Sequence, residues 1–315
     1  MLDQTSVSSK GMQQTLQHAI ENIEQIIVGK PQQIRLAVCC LVASGHCLIE
    51  DLPGVGKTTM AHSIARVFGL GFNRIQFTSD LLPADILGVS IFDPQSQSFN
   101  FHPGPIFAHC ILADEMNRAT PKTQSALLEA MEEHQITVEG QTRTLKDPFF
   151  VIGTQNPLDQ SGTFPLPESQ LDRFMMRLNL GYPDEKAERL LLSGQSRQLI
   201  LQKIKPVLDM DALIEIQQQV DNIHISEALL DYVQLLLSAT RNNNSFVYGL
   251  SPRAALSLIK ASRSWALMHG RDFVEPGDVK AIFSAVSSHR LIVAEQHSKN
   301  VTTLLDLLLD QTPIP

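Results

Sequence analysis

No stretch of this 315-residue chain is both apolar and long enough to cross a bilayer, which takes about 20 consecutive residues. The opening residues, Met1-Leu2-Asp3-Gln4-Thr5-Ser6, lack the basic-then-apolar pattern of a secretory leader, so a cytoplasmic location is the expectation. Cysteine is scarce. Cys39, Cys40, Cys47 and Cys110 show no zinc spacing, and three of them crowd into one apolar region. They read as buried thiols in a reducing compartment. An excess of positive charge is also missing: 25 Lys and Arg stand against 33 Asp and Glu, a formal charge of −8. That balance gives no electrostatic support for nucleic-acid binding, although it does not exclude a local basic patch. Internal repeats and low-complexity tracts are absent as well. What is present, 43% hydrophobic and 18% charged residues, suits a soluble globular protein of one large or two ordinary domains.

The stretch that organises the rest is Glu50-Asp51-Leu52-Pro53-Gly54-Val55-Gly56-Lys57-Thr58-Thr59. It follows the apolar run His46-Cys47-Leu48-Ile49 and precedes a helical pattern from Met60 to Phe68, the context of a phosphate-binding loop. Gly54 and Gly56 allow the tight turn that aims successive N–H groups at phosphate oxygens, and the positive end of the next helix adds to that field. Lys57 would reach the β- and γ-phosphates, and the Thr58 hydroxyl would ligate Mg²⁺. The usual pattern has glycine where this chain has Asp51. That position precedes the amide cradle, so the departure is expected to be tolerated. The bland alternative, a Gly/Pro turn that happens to carry a lysine, is settled only by context.

Context comes from periodicity. Met12 to Ile27 and Gln32 to Ala43 read as helices separated by Val28-Gly29-Lys30-Pro31. Strands are predicted at 46–49, 72–77, 107–113, 149–154 and 175–180. A short helix is expected near residues 81–88 and a longer one from Pro121 to Glu133, with Ser125, Leu128 and Met131 along one face. Two hairpins are expected, one with arms Val89 to Phe92 and Ser98 to Phe101, the other with Ile136-Thr137-Val138 and Thr142 to Leu145 joined through Glu139-Gly140-Gln141. Beyond Gly181-Tyr182-Pro183 the pattern is helical: Glu185 to Ser193, Met210 to Val220, Ser226 to Arg241, Pro252 to Met268 and Pro276 to Ser288. Strands alternating with helices, then helices alone, imply an α/β nucleotide domain (residues 1–182) followed by an all-α domain (183–315). The leucine-rich tail, Leu304 to Leu309, either finishes the helical domain or docks on a partner.

Asp114-Glu115 ends the buried run Phe107 to Ala113, and ligands gather at the carboxyl ends of strands in open α/β sheets. Asp114 would hold Mg²⁺ in its outer shell, and Glu115 would polarise the attacking water. Asn156, after the next strand, can both donate to and accept from that water or touch the γ-phosphate; capping the turn before Pro157 is the alternative. Arg173, in Leu171-Asp172-Arg173-Phe174, could neutralise charge on a neighbour's γ-phosphate. Arg253, opening a helix in Gly249-Leu250-Ser251-Pro252-Arg253, could clamp the nucleotide. A surface ion pair is the commoner fate of an arginine, and spacing alone does not exclude it.

These segments together carry a resemblance. The chain resembles an AAA+ ATPase of the MoxR type from about Ile26 to Leu291. The resemblance rests on Val28-Gly29, Leu52 to Thr58, Arg74-Ile75-Gln76-Phe77-Thr78, Leu81 to Asp85, Gly104 to Phe107, Leu112 to Arg118 and Ala126 to Glu133. Gln155-Asn156-Pro157, Pro165 to Glu168, Leu171 to Phe174, Ser251-Pro252-Arg253 and His289-Arg290 complete it. It implies a P-loop αβα domain with a parallel five-stranded sheet, an insert in helix 2 at about residues 89–102, a hairpin before the first sensor at about 134–146, and a small all-α lid. It further implies that Val28 and Gly29 line the adenine pocket, and that Pro53, Gly54, Val55, Gly56, Lys57, Thr58 and Thr59 bind ATP, with Thr58 and Asp114 serving Mg²⁺. Asp114 and Glu115 become the Walker B pair, Asn156 the first sensor, Arg173 the arginine finger and Arg253 the second sensor.

Proteins of this type are similar in forming hexameric rings of identical copies that remodel protein clients, often with a von Willebrand factor A domain partner. The expectation is therefore Mg²⁺-dependent ATP hydrolysis by such a ring, driven by the helical domain rocking at Gly181 to Pro183. Two readings compete. Related machines with the same inserts act on DNA, yet Val89 to His102 contains no Lys or Arg and the second hairpin turns at Glu139-Gly140-Gln141, so a phosphate backbone would meet no positive charge there. A switch that binds ATP without turning it over is opposed by the presence of Glu115 and Asn156.

Overall fold

The structure, a computed structural model, describes residues 9–157, 162–194, 197–294 and 300–315. Two helices lead the chain, α1 (Ser9–Glu24) and α2 (Pro31–Val42), the latter with proline in its first turn, where a missing N–H costs nothing. β1 (Cys47–Glu50) passes through the phosphate loop into α3 (Lys57–Val67), and β2 (Phe72–Gln76) is followed by the short α4 (Pro83–Leu87). The first hairpin is β3 (Gly88–Asp93) with β4 (Ser98–Pro103), paired antiparallel. β5 (Cys110–Asp114) and α5 (Pro121–Glu133) lead to the second hairpin, β6 (Gln135–Val138) with β7 (Gln141–Thr144). Its turn is two residues long, Glu139 and Gly140, both at positive φ, so Gln141 belongs to the strand and not to the turn. β8 (Phe150–Gln155), α6 (Glu168–Leu171) and β9 (Met176–Leu178) complete this half.

The five long-range strands form one parallel sheet in the order β2-β5-β8-β1-β9. β5 and β8 are buried along their whole length, which is why they appear in the sequence as unbroken apolar runs. Three expectations are corrected. The run from Phe107 becomes strand only at Cys110, because the Phe107 N–H turns back to the Gly104 carbonyl. The last strand is Met176–Leu178 alone rather than 175–180. On α5 the buried face carries Gln124, Leu127, Leu128 and Met131, while Ser125 is exposed.

The remaining helices are α7 (Glu185–Leu192), α8 (Arg197–Lys203), α9 (Met210–Asn222), α10 (Glu227–Arg241), α11 (Pro252–Met268), α12 (Pro276–Ser287) and α13 (Val301–Gln311). Asp184, Asp209, Ser226, Ser251 and Asn300 each accept an N–H from the first turn of the helix they precede, so the starts are set by capping side chains. The helical half does not hang from the sheet as a loose lid. One hydrophobic cluster runs from Leu16, Ile20 and Ile23 of α1 through Val38 and Cys39 of α2 to Ala261 and Trp265 of α11. Polar links cross the same seam: Cys39 Sγ to the Ala261 carbonyl, Ser264 Oγ to the Cys39 carbonyl and Gln217 to the Leu41 carbonyl. A large apolar contact of this kind joins the helical half to α1 and α2 in this state. The four cysteines are free and buried, and burial pushes the Cys39 and Cys110 thiols up to about 12.

The tail resolves one open choice. Leu304, Leu305, Leu308 and Leu309 of α13 are buried within the same cluster. Leu305→Ala should lower the unfolding free energy by about 2–5 kcal/mol in urea titration, and Leu307→Ala, at a partly exposed position, by less than about 1 kcal/mol. Equal small effects would mean that α13 does not belong to the core.

Candidate active site

The phosphate loop owes its shape to two glycines at positive φ, Gly54 at 83° and Gly56 at 100°, the second capping α3. A Cβ at either would meet nothing within 4 Å, so glycine is required there by the backbone conformation and the loop encloses open space. Pro53, Gly54 and Thr58 are exposed on its rim, and Val55, Gly56, Lys57 and Thr59 are half-buried. Lys57 folds across the loop, its Nζ donating to the carbonyls of Asp51 (2.6 Å) and Leu52 (3.2 Å). Partial burial draws its ammonium below the usual lysine range, against the pull of Asp114, Asp51 and Glu115. That shared influence shows the acidic pair converging on the lysine.

Asp51 turns out to be a structural residue. Its side chain is buried; Oδ1 accepts the Leu52 N–H at 2.8 Å and Oδ2 the Gly181 N–H at 2.6 Å. Close by, the buried Lys30 donates to the Tyr182 carbonyl at 2.6 Å. Gly29 sits at φ 76°, where a Cβ would lie 2.7 Å from the Ala187 Cβ. Gly29, with half-buried Val28 before it, thus packs against the start of α7, beside the 181–182 linker that Asp51 joins to the phosphate loop.

At the carboxyl ends of β5 and β8, Thr154 organises the acidic pair. Its buried hydroxyl donates to Asp114 Oδ1 (2.6 Å) and accepts the Glu115 N–H (2.9 Å). Glu115 adopts a left-handed conformation, φ 57°, uncommon for a side-chain-bearing residue and typical of positions under functional constraint. Its carboxylate is held by Gln76 Nε2 and Arg118 Nε, each at 3.0 Å. Arg74 places both Nη2 (2.6 Å) and Nε (3.1 Å) on Asp114 Oδ2. A hydroxyl at Thr58 and a carboxylate at Asp114, with a cationic group already resting on that carboxylate, make a hard-oxygen donor set that fits Mg²⁺. Asn156 follows β8 directly; its neighbour Gln155 pairs with Glu50 and accepts the Asp51 N–H, which brings Asn156 to the same edge.

Arg173 and Arg253 lie elsewhere. Arg173 precedes β9, whose first residues bond to His46 at the start of β1. Both arginines are thus at the amino ends of the strands, a strand's length from the phosphate loop of their own chain. There Arg173 Nη2 and Arg253 Nη2 grip the two oxygens of Glu132, at 2.8 and 2.5 Å. Asp172 is held by Arg290, whose side chain is 3% exposed and also donates to the carbonyls of Phe174, Met175 and Val286. His46 closes the cluster from below: its Nδ1 accepts the Val151 N–H, leaving Nε2 to donate to the Met131 carbonyl, and burial pushes its pKa down to about 4.

The sequence alone did not single out Arg74, Gln76, Thr154, Glu132, Asp172 or Arg290. Gln76 is a register neighbour of Asp114, and Thr154 of Ile49, relations visible only once the strand order is known. Glu132 and Arg290 stood inside quoted segments without a partner to give them a role.

A phosphate loop after β1 and an acidic pair after β5, in a sheet ordered β2-β5-β8-β1-β9, define an AAA-type nucleotide-binding module. Comparison with known proteins agrees. Residues 46–176 match the model of the ATPase family associated with various cellular activities (AAA), and residues 238–306 match the AAA lid domain. The chain is 44% identical to protein YeaC of Bacillus subtilis over 275 residues, 87% of this chain and 86% of that one. It is 40% identical to Chaperone MoxR1 of Mycobacterium tuberculosis over 288 residues, 89% and 76% of the two chains. The crystal structure of a candidate ATPase from Cytophaga hutchinsonii superposes with a TM-score of 0.88 at 34% identity, covering 98% and 97% of the two chains. The chain belongs to the MoxR-type AAA+ ATPases.

Two outcomes follow from this geometry. Asp51→Gly, which restores the usual loop residue, should destabilise the fold by about 1–3 kcal/mol in urea titration, because the Gly181 N–H loses its charged acceptor; an unchanged or raised stability would contradict the role given to Asp51. His46 is held neutral in the fold but takes up a proton near pH 6.5 when unfolded, so stability is present above that value and falls as pH drops from 6.5 toward 4. Urea midpoints at pH 7.5 and pH 5 should differ in that sense, and a midpoint unchanged or higher at pH 5 would contradict it.

Proposed function

We propose that this chain hydrolyses ATP with Mg²⁺ inside a closed ring of identical copies and uses the energy to remodel a protein client. The observation that carries the reading is the separation of the two charged groups. The phosphate loop and acidic pair sit at one edge of the sheet, and Arg173 and Arg253 at the other. A head-to-tail ring lays the arginine edge of one copy on the nucleotide edge of the next, and such contacts close when the rotation allows. Hydrolysis then depends on assembly, since Arg173 acts on a neighbour's γ-phosphate and Arg253 senses the same group.

Within one copy, the amides from Gly54 to Thr59 and Lys57 hold the phosphates, with Pro53 and Val55 shaping the loop. Val28 and Gly29 take the base. Thr58 and, in the outer shell, Asp114 would hold Mg²⁺, which would supply charge neutralisation for the transferred phosphoryl group. Glu115 orients and deprotonates the water, and Asn156 fixes its position. Phosphoryl transfer to water needs positioning and electrostatics more than covalent chemistry, which suits this set.

The client reading rests on the MoxR1 relative, named a chaperone, and on the exposed Ile91, Phe92 and Phe99 of the β3–β4 hairpin. Apolar side chains and an absence of Lys and Arg on that hairpin favour protein over nucleic acid. A hexameric ring, a von Willebrand factor A domain partner and a cytoplasmic setting belong to the same proposal, following from the family resemblance and the four free thiols.

Phosphate release tests it. The parent chain should turn over ATP; Lys57→Ala should bind none; Glu115→Gln and Arg173→Ala should bind ATP yet lose on the order of 10³-fold in rate. Arg173→Ala turning over at the parent rate would contradict the assignment across the subunit border.

A further inference from the structure

Glu132 stands in the last turn of α5, where the negative end of the helix disfavours a carboxylate unless cations flank it. Here two do. One oxygen meets Arg173 and the other Arg253, residues from different halves of the chain whose like charges would otherwise drive their heads apart. The carriage behind Glu132 is rigid: the Met131 carbonyl is fixed by buried His46, and the Arg173 loop by buried Arg290 through Asp172. The two arginine side chains are 27% and 49% exposed, and Arg290 only 3%, so the outer pair faces an approaching group while the inner one holds the loop. Within the cluster the guanidiniums of Arg173, Arg253 and Arg290 are held by the carboxylates of Glu132 and Asp172.

We propose that Glu132 is a positioning residue that holds Arg173 and Arg253 side by side as a two-guanidinium clamp for the γ-phosphate bound on a second copy of this chain. The inference rests on the ring reading given above. Each arginine spends its Nη2 on Glu132, and Arg253 Nη1 also lies 3.9 Å from Asp172 Oδ2, beyond hydrogen-bond distance. Catalytic groups gain from being held in place before the substrate arrives, and a displacement near 1 Å costs on the order of 100-fold in rate.

The test uses full-length chains and subunit mixing. Glu132→Ala should lower kcat on the order of 10- to 100-fold, with the KM for ATP and the affinity for a fluorescent ATP analogue unchanged, since its own nucleotide edge is intact. The isosteric Glu132→Gln, which covers the case in which the alanine variant does not fold, should fall between it and the parent. Mixed with Glu115→Gln, which assembles and carries an intact clamp, the Glu132 variant should regain activity above the sum of the separate chains, because its nucleotide then faces a working clamp. Arg173→Ala mixed with Glu115→Gln is the control. If the control recovers and the Glu132 mixture does not, Glu132 acts within its own chain and the inference fails alone. If the control does not recover, the ring reading fails and takes the inference with it. A Glu132 variant that turns over at or above the parent rate would also overturn it.

Discussion

All five strands of the central sheet run in one direction, and that polarity gives the molecule two chemically different edges. At the carboxyl ends, chain reversals expose loop amides and bring Lys57, Asp114, Glu115 and Asn156 to one edge of the sheet. At the amino ends the chain arrives from helices, and the entering segments carry Arg173 and the carbonyl that His46 anchors. An antiparallel sheet would have mixed the two sets. The parallel one separates them by the length of β1.

The helical half is packed directly against this arrangement. Its core is continuous with α1 and α2, and its residues reach both edges: Arg253 and Arg290 hold the arginine cluster, and the start of α7 closes on Gly29. Asp51 and Lys30 tie the phosphate loop and the 28–30 turn to the same linker, residues 181–182. The loop that meets phosphate is thus in direct hydrogen-bonded contact with the segment that enters the helical half. An Asp at position 51, which looks like a departure from the usual loop pattern, supplies that connection.

Much of this was legible in the sequence. The periods of α5 and α11 gave their limits to the residue, since Pro121, Pro252 and the Ser251 cap mark the starts sharply. The phosphate loop and the acidic pair were readable because each lies at the end of an apolar run. Strand limits were less so: apolarity continues from Phe107 into a loop that packs on the core without pairing, and periodicity cannot separate burial from hydrogen bonding. The roles of Thr154, Gln76 and Glu132 depend on contacts across 40 or so positions of chain, which no local pattern encodes. The packing of α1 on α11 was hidden for the same reason, because their composition does not say that they face each other.

The central claim is that one copy completes the next. The most direct measurement is a high-resolution structure of the Glu115→Gln variant assembled with ATP and Mg²⁺. The account predicts the Arg173 guanidinium within about 3 Å of the γ-phosphate held by the adjoining copy's Lys57. An assembly in which Arg173 stays on solvent, or in which the nucleotide edges face away from every arginine edge, would contradict it.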